Sequence, residues 1–304
     1  MKKVLIIYGG ESYEYDISIK SYKNIIDNID KEKYIVDSVY ITKDNIWINN
    51  NKEINNIIKF IKDFDVVLPI IHGNGGEDGK LQGMLDLFNI KYIGSKCGSS
   101  YICMDKIRTK EILSNYDIPQ IQYELYNGKL SIDYPVIIKP SNGGSSIGIN
   151  VAYNKEQFDK HIIEAHKYDK KVIVEKFIEN PIEIECACLK DKDNFIIEIG
   201  SVEQENTFYD YKTKYENDSI VTNLDPNISK DVKNKLKEYC SKIFNILDLS
   251  NLARIDFLIK DNNIYLNEIN TIPGFTDISM FPMLINKTGI SYKDIITILI
   301  ENVI

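Results

Sequence analysis

Apolar and polar positions fall into two recurring patterns along the chain. Residues 3–8 (Lys-Val-Leu-Ile-Ile-Tyr) form a buried-type strand that runs into Gly9-Gly10 and then into a helix from about Ile17. Residues 36–41 alternate as a second strand. Residues 65–71 form a third, which ends in the loop His-Gly-Asn-Gly-Gly-Glu-Asp-Gly. A helix over residues 83–88 and a short strand over residues 91–93 follow. Alternating strand and helix predict a small parallel α/β unit with ligand loops at the strands' C-terminal ends. The character changes near residue 95. The pattern then predicts a helix over residues 104–115 and strands over residues 134–139 and 171–177. An antiparallel pair spans residues 183–199 and turns at Asp191-Lys192-Asp193. Residues 203–227 are polar and aromatic without a period, as in a long functional loop. Residues 229–247 read as an amphipathic helix.

Residues 251–274 carry most of the chemistry. They read as two strands joined at Asp261-Asn262-Asn263, since Asn and Asp tolerate the positive φ of a tight turn. Folding about Asn262 sets Lys260 opposite Ile264, Asp256 opposite Glu268, and Arg254 opposite Asn270. Side chains two apart share a face. Arg254, Asp256, Glu268 and Asn270 therefore cluster on one side, and Ala253, Ile255, Phe257, Ile259 and Ile269 suit a core on the other. Facing carboxylates repel unless a cation lies between them. The donors are hard oxygens with no His or Cys nearby, so Mg²⁺ is the natural candidate and Mn²⁺ the next. A solvated hairpin face with an Arg–Asp pair is the plain alternative.

Composition narrows the class. The 304 residues are 43% hydrophobic and 27% charged, as in an ordinary globular protein, and long enough for two or three subdomains. A net charge of −8 with dispersed lysines argues against a nucleic-acid surface. No run suits a signal peptide or a membrane span. Five cysteines without a metal-type spacing fit reduced thiols in the cytoplasm, with Cys186 and Cys188 as strand core.

Three further segments bear on ligands. Lys139-Pro-Ser-Asn-Gly-Gly-Ser-Ser-Ile-Gly148 bares N–H groups and hydroxyls of the kind phosphate oxygens need, though a flexible turn has the same composition. Lys139 adds a cation there, and Lys106 is a second candidate. Glu175, Phe177, Ile178 and Glu183 would suit an adenine hinge. Residues 208–215 place tyrosines and lysines on a segment suited to a lid that excludes water, or to an aromatic-stapled surface loop.

Together these motifs resemble the D-alanine–D-alanine ligases of the ATP-grasp superfamily. The resemblance rests on Gly-Gly-Glu-Ser-Tyr-Glu-Tyr-Asp-Ile-Ser, His-Gly-Asn-Gly-Gly-Glu-Asp-Gly-Lys-Leu-Gln-Gly, Met-Asp-Lys, the Gly/Ser loop, Phe-Tyr-Asp-Tyr-Lys-Thr-Lys-Tyr, Arg-Ile-Asp and Asn-Glu-Ile-Asn-Thr-Ile-Pro-Gly-Phe-Thr, in that order over nearly the whole chain. It implies a preATP-grasp α/β domain at residues 1–94 that binds substrate. A central ATP-grasp subdomain at residues 95–178 and a C-terminal one at residues 179–304 would follow, the latter with the metal site and lid. It implies ATP held by Lys106, Lys139, Glu175, the Phe177–Ile178 backbone, Glu183 and Lys214, and two Mg²⁺ ions held by Asp256, Glu268 and Asn270. Glu14 would anchor the first D-alanine, and Ser145 and Tyr215 would complete a network with it. Arg254 and the Gly274 N–H would bind an oxyanion. Ser279 and the Met280 backbone would receive the second D-alanine's carboxylate, with His72 lining the pocket. The product would be D-alanyl-D-alanine for peptidoglycan precursors, made by way of an acyl phosphate in a cytoplasmic homodimer.

The sequence departs from the family pattern at Tyr15-Asp16-Ile17-Ser18 and at Asp277-Ile278, where the second-substrate pocket is put in question. Resistance-type D-alanine–D-serine ligases are the near alternative. The Tyr215 lid motif resembles the dipeptide-forming type rather than the D-lactate type and is shared with D-serine ligases, whereas the apolar Met280 in place of a basic residue favours D-alanine. A silent nucleotide-binding regulator is the alternative of another class, and the intact polar set weighs against it. A nicotinamide oxidoreductase fails for want of a second phosphate-loop glycine.

Overall fold

The computed structural model describes residues 1–192, 194–203 and 221–304. Fourteen strands among these residues make three sheets. The first holds β1 (Lys2–Gly9), β2 (Tyr34–Ile41), β3 (Trp47–Asn49), β4 (Lys52–Glu53) and β5 (Val66–Pro69) in the order β4-β3-β2-β1-β5. β1 runs parallel to both β2 and β5, so the α/β reading of this region holds. Residues 91–93 contribute a single bridge, Val67 to Tyr92, rather than the expected strand. The second sheet is antiparallel, with β6 (Tyr123–Leu125), β7 (Val136–Pro140), β8 (Asn150–Ala152) and β9 (Val172–Lys176) in the order β6-β9-β7-β8. The third is also antiparallel, β12-β11-β10-β13-β14, from β10 (Ile182–Asp191), β11 (Asn194–Glu203), β12 (Val221–Asn223), β13 (Leu252–Lys260) and β14 (Asn263–Asn270).

Strand alternation decides which cores form. On β10, Ala187 and Leu189 join Val4, Ile6 and Ile25 of the first unit and Phe281, Leu284 and Leu299 of the C-terminal helices in one core. The intervening Cys186 and Cys188 face the other way and pack with Cys240, Ile243 and Phe244 beneath the helix Lys230–Ile246. Ala253, Ile255, Phe257, Ile259 and Ile269 are buried in that second core, as the hairpin pattern requires. Arg254 and Asp256 are thereby turned to the opposite face. The helices Met280–Asn286 and Tyr292–Glu301 have no counterpart in the sequence reading. All five cysteines are free thiols. Among the described residues, no helix is long and apolar enough to cross a membrane.

Two expectations need correction. The helix expected over residues 104–115 is two helices, Cys97–Met104 and Lys106–Leu113. Asp105 breaks them with an extended backbone and caps the second by accepting from Arg108 N–H. Its carboxylate also accepts from Ser141 Oγ at 2.6 Å and pairs with Lys171, so the break is tied to the Gly/Ser loop. The hairpin turn, in turn, has two residues rather than three. Asp261 and Asn262 both have positive φ, and Lys260 faces Asn263, not Ile264. A bulge between Asp256 and Phe257 of the ladder absorbs Asn267 and restores Asp256 opposite Glu268 and Arg254 opposite Asn270.

Candidate active site

Three strands of the third sheet set three carboxylates in a row. Glu185 on β10 faces Asp256 on β13, which faces Glu268 on β14. Arg254 closes on this row. Its Nε and Nη2 reach the two Asp256 oxygens at 2.9 and 2.8 Å, and Nε lies 3.2 Å from Glu185 Oε2. Asn270 Nδ2 donates to Asp256 Oδ2 at 3.0 Å. Burial is the main influence on Asp256 and pushes its pKa up. Arg254 pulls it down, Glu185 and Glu268 push it up again, and it stands at about 6. Burial opposes the charge on Arg254, yet Asp256 and Glu185 more than offset that and raise its pKa.

The bulge joins this row to the phosphate-type loop. Asn267 Oδ1 accepts from Lys139 Nζ at 3.2 Å, and Lys106 Nζ lies 3.9 Å from Glu268 Oε2. Lys106 is the first residue of its helix because of the break at Asp105. Its N–H donates to Ser141 O at 2.9 Å, and its Nζ donates to Gly143 O at 2.6 Å. In the loop itself, Ser145 and Ser146 both have positive φ, an uncommon run for side-chain-bearing residues. Ser145 Oγ is buried and has no hydrogen-bond partner among the described residues.

Lys139 also pairs with Glu175 Oε2 at 2.7 Å, and Lys110 pairs with Oε1 at 2.8 Å. Burial alone would raise the Glu175 pKa, but the two lysines hold it down at about 2. Glu175→Gln leaves two buried ammonium groups without their counter-ion and is expected to cost about 3–5 kcal/mol at pH 7 by urea unfolding. A carboxylate whose pKa is depressed in the folded state stabilises above its unfolded pKa. The gap between wild type and variant should therefore be full above the ordinary value of 4.5 and close as pH falls toward 2. A constant gap across that window would contradict the Lys110–Glu175–Lys139 assignment.

The first unit supplies the opposite wall. Glu14 precedes the helix Tyr15–Asn28, and its carboxylate sits against Gly73 and Gly144. A Cβ on Gly73 would lie 2.8 Å from Glu14 Oε2, so the glycine leaves the room the carboxylate occupies. His72 is buried, with Nδ1 at 2.8 Å from Ile272 O and Nε2 at 3.1 Å from Ser21 Oγ. Burial lowers its pKa, which favours the neutral ring. Glu77 accepts from Gly73 N–H at 3.0 Å, Ile272 N–H at 2.7 Å and Thr271 Oγ1 at 3.3 Å. Burial, followed by Glu14, raises its pKa to about 7 against those hydrogen bonds.

A single cleft is lined by Glu14, His72, Lys106, Ser145, Arg254, Glu268, Asn270 and Gly274. Ser279 stands against Gly274 and is not itself part of the lining. Its Oγ accepts from Thr276 N–H at 3.0 Å and would lie 2.8 Å from a Cβ on Gly274. Phe177, Ile178 and Glu183 lie beyond the end of β9 and at the start of β10, Phe177 N–H donating to Pro135 O at 3.1 Å. The Met280 side chain is not in the cleft. It is buried in the first core, its sulfur 2.9 Å from a Cβ built on Gly200, so its apolar character says nothing about the second substrate. Lys214, Tyr215 and the lid expected at residues 208–215 lie outside the described residues. Sequence reasoning missed Glu77, Lys110, Glu185 and Asn267. Lys110 alone left a local trace, four residues from Lys106 on one helix face.

Asp256, Glu268 and Asn270 fit a hard divalent cation. Their donors are oxygens, and burial, with Glu185 and Glu268 beside it, keeps the Asp256 pKa raised at about 6, so a cation there would relieve the charge. Among the described residues, no three His, Cys, Asp or Glu side chains form a metal-binding group. Two carboxylates and an amide suit Mg²⁺, which takes few protein ligands and completes its shell with phosphate oxygens and water.

Residues 111–301 match the family model described as D-ala D-ala ligase C-terminus, and residues 3–60 and 49–95 match D-ala D-ala ligase N-terminus. The D-alanine–D-alanine ligase of Clostridium novyi is 38% identical, over 99% of this chain and 97% of that one. Among solved structures, the VanG D-Ala:D-Ser ligase from Enterococcus faecalis superposes with a TM-score of 0.88 at 29% identity, covering 99% of this chain and 98% of the other. The D-alanine–D-alanine ligase from Bacillus anthracis complexed with ATP gives 0.81 at 28% identity, covering 99% and 97%.

Proposed function

The chain belongs to the D-alanine–D-alanine ligase family, and from that premise we propose how its own residues carry the reaction. It is an ATP-dependent ligase of the ATP-grasp fold that joins two D-alanines for peptidoglycan precursors. The observation that supports the residue assignment is the meeting, in one cleft, of Arg254, Glu268, Asn270, Lys106 and the Gly274 backbone, with Asp256 joined to it through Arg254 and Lys139 to the same hairpin through Asn267.

A carboxylate is a poor electrophile and must first be activated. Lys106 and Lys139, with Lys214 of the lid, neutralise the phosphates of ATP while the γ-phosphoryl group passes to the carboxylate of the first D-alanine. The hinge at Phe177 and Ile178, with Glu183, holds the adenosine, and Glu175, its carboxylate taken by Lys110 and Lys139, acts by fixing Lys139. Asp256, Glu268 and Asn270 would hold the two Mg²⁺ ions, or Mn²⁺ in their place, that the family reading implies, and a cation there would supply charge neutralisation for this transfer. Glu14 anchors the ammonium of the first D-alanine, and Ser145, whose buried hydroxyl has no partner among the described residues, is free to complete a network with it. Tyr215, the third member that the family resemblance implies, lies outside those residues. The free amine of the second D-alanine attacks the acyl phosphate. Its carboxylate sits at Ser279 and the Met280 N–H. Arg254 and the Gly274 N–H stabilise the tetrahedral oxyanion, which expels phosphate. The lid keeps water from the acyl phosphate. The division at residues 94 and 178, a homodimer and a cytoplasmic setting follow from the same family reading.

D-Serine as second substrate is kept as a second reading. The likeness to the VanG ligase favours it, and the side-chain argument from Met280 no longer opposes it. The deciding assay is phosphate release with ATP and Mg²⁺ in the presence of D-alanine, D-alanine plus D-serine, D-alanine plus D-lactate, or L-alanine. D-Alanine alone is expected to support turnover and D-alanyl-D-alanine to be the main product. No D-alanine-dependent release would remove the ligase reading, and a dominant D-alanyl-D-serine product would install the second one.

A further inference from the structure

The loop that carries Gly274 is gripped from two other parts of the chain. Ile272 N–H donates to Glu77 at 2.7 Å, and Ile272 C=O accepts from His72 Nδ1 at 2.8 Å. A carbonyl only accepts, so the proton of the neutral ring is on Nδ1 and Nε2 is an acceptor. Ser21 Oγ, 3.1 Å away, therefore donates to Nε2 and accepts from Phe275 N–H at 3.2 Å. Asn24 Nδ2 adds a hydrogen bond to Phe275 O at 3.2 Å. Pro273, between the two held peptides, has a fixed φ and no N–H, and it restricts Ile272 to extended backbone. Thr276 N–H is taken by Ser279 Oγ. Over residues 272–276 the one N–H without a partner among the described residues is that of Gly274, which lines the cleft.

The grip also registers the loop against the other substrate anchor. Glu14, Ser18 and Ser21 are spaced four and three apart, which puts them on one face at the start of the helix Tyr15–Asn28. Ser18 locks that helix to the first sheet, accepting from Gly9 N–H at 2.8 Å and donating to Ile70 O at 2.6 Å. One rigid helix thus fixes Glu14 and the Gly274 loop at a set separation.

We propose that Ser21, His72 and Glu77 are positioning residues that hold residues 272–275 so that the Gly274 N–H meets the tetrahedral oxyanion. This deepens, and rests on, the ligase reading above. His72 acts through the Ile272 carbonyl and exchanges no proton with substrate. Nothing is transferred covalently at the clasp. Its effect is on the second step, where the amine attacks, and not on capture of ATP or of the first D-alanine.

The test compares wild type with Ser21→Ala, His72→Asn, His72→Ala and Glu77→Gln. Each is checked for fold by circular dichroism and assayed for kcat, KM for ATP and D-alanine, and Kd for a dipeptide phosphinate that mimics the tetrahedral centre. Asn places an N–H where His72 Nδ1 stands, so His72→Asn should stay within about tenfold of wild type, while His72→Ala loses about 10²–10³-fold in kcat, the range for one misplaced oxyanion donor. KM for ATP should hold, and phosphinate affinity should fall in proportion to kcat/KM. Ser21→Ala removes one arm with little volume change and keeps the test open if His72→Ala fails to fold. Folded variants that lose kcat but bind the phosphinate like wild type would overturn the clasp, as would equal loss in His72→Asn and His72→Ala. A wild-type enzyme without D-alanine-dependent turnover would instead overturn the ligase reading.

Discussion

Asp256→Asn should abolish most of the turnover and leave the fold as stable as before, or more so. The carboxylate is the centre of the row Glu185–Asp256–Glu268 and one of the two assigned to the cation. Even the partners of metal ligands cost about 10–100-fold when removed, so loss of the ligand itself should cost at least about 10²-fold in kcat. Stability moves the other way because the charge is not at ease in the folded protein. Burial and its two acidic neighbours hold the Asp256 pKa at about 6, above its ordinary value. An amide of the same shape removes that repulsion while Arg254 keeps Glu185 and Glu268 as partners. Steady-state kinetics with saturating Mg²⁺ and a thermal melt read the two effects separately. Wild-type turnover in the variant would show that the hairpin cluster is structural.

Arg254→Met should damage both activity and stability. One oxyanion donor lost corresponds to about 10²–10³-fold in kcat. The substitution also strands Asp256 and Glu185, and breaking a buried pair in this way costs about 3–5 kcal/mol. The sign with pH follows from Asp256. Its pKa is raised in the folded state and rises further without Arg254, so the penalty is full at alkaline pH and shrinks as falling pH protonates the carboxyl. Urea unfolding at pH 8 and pH 5.5 should show the gap to wild type narrowing at the lower pH. A gap that widens there would contradict the assignment. Arg254→Lys should restore charge but not the two-pronged contact with Asp256, and so should recover stability better than turnover.

The sequence reading reached the metal face by way of two errors that cancel. It placed three residues in the hairpin turn and no bulge in the ladder, whereas the turn has two residues and the bulge takes up Asn267. One residue removed from the turn reappears in the strand, so Asp256 still faces Glu268. Strict period-two alternation through Ile264 and Leu266 would carry Glu268 to the core, so the three-residue step from Leu266 to the buried Ile269 is the trace of the bulge that the sequence reading passed over. The cost of the missing bulge was Asn267, whose contact with Lys139 ties the hairpin to the Gly/Ser loop.

Whole-chain resemblance to the ligase family was legible from the motif string, and the parallel part of the first sheet, β2-β1-β5, from strand–helix alternation, while the antiparallel pairings of β3 and β4 were not. The clasp was not. His72 and Glu77 stand some 200 residues from Ile272, and no local pattern marks a pairing set only when the first unit docks on the third sheet. Glu185 was hidden for a related reason. Its partner Asp256 is fixed by the register of β10 on β13, which the sequence of either strand leaves open. Met280 was misjudged because a residue at a helix start can offer its N–H to one side and its side chain to the core on the other.

The central claim is that the first D-alanine is activated by phosphorylation of its own carboxylate within this cleft. The most direct measurement supplies D-alanine labelled with ¹⁸O in the carboxylate, ATP and Mg²⁺, and follows the label by mass spectrometry. Transfer to an acyl phosphate and expulsion by the second amine must carry one labelled oxygen from each activated D-alanine into inorganic phosphate. Phosphate released alongside dipeptide but free of ¹⁸O would contradict the account.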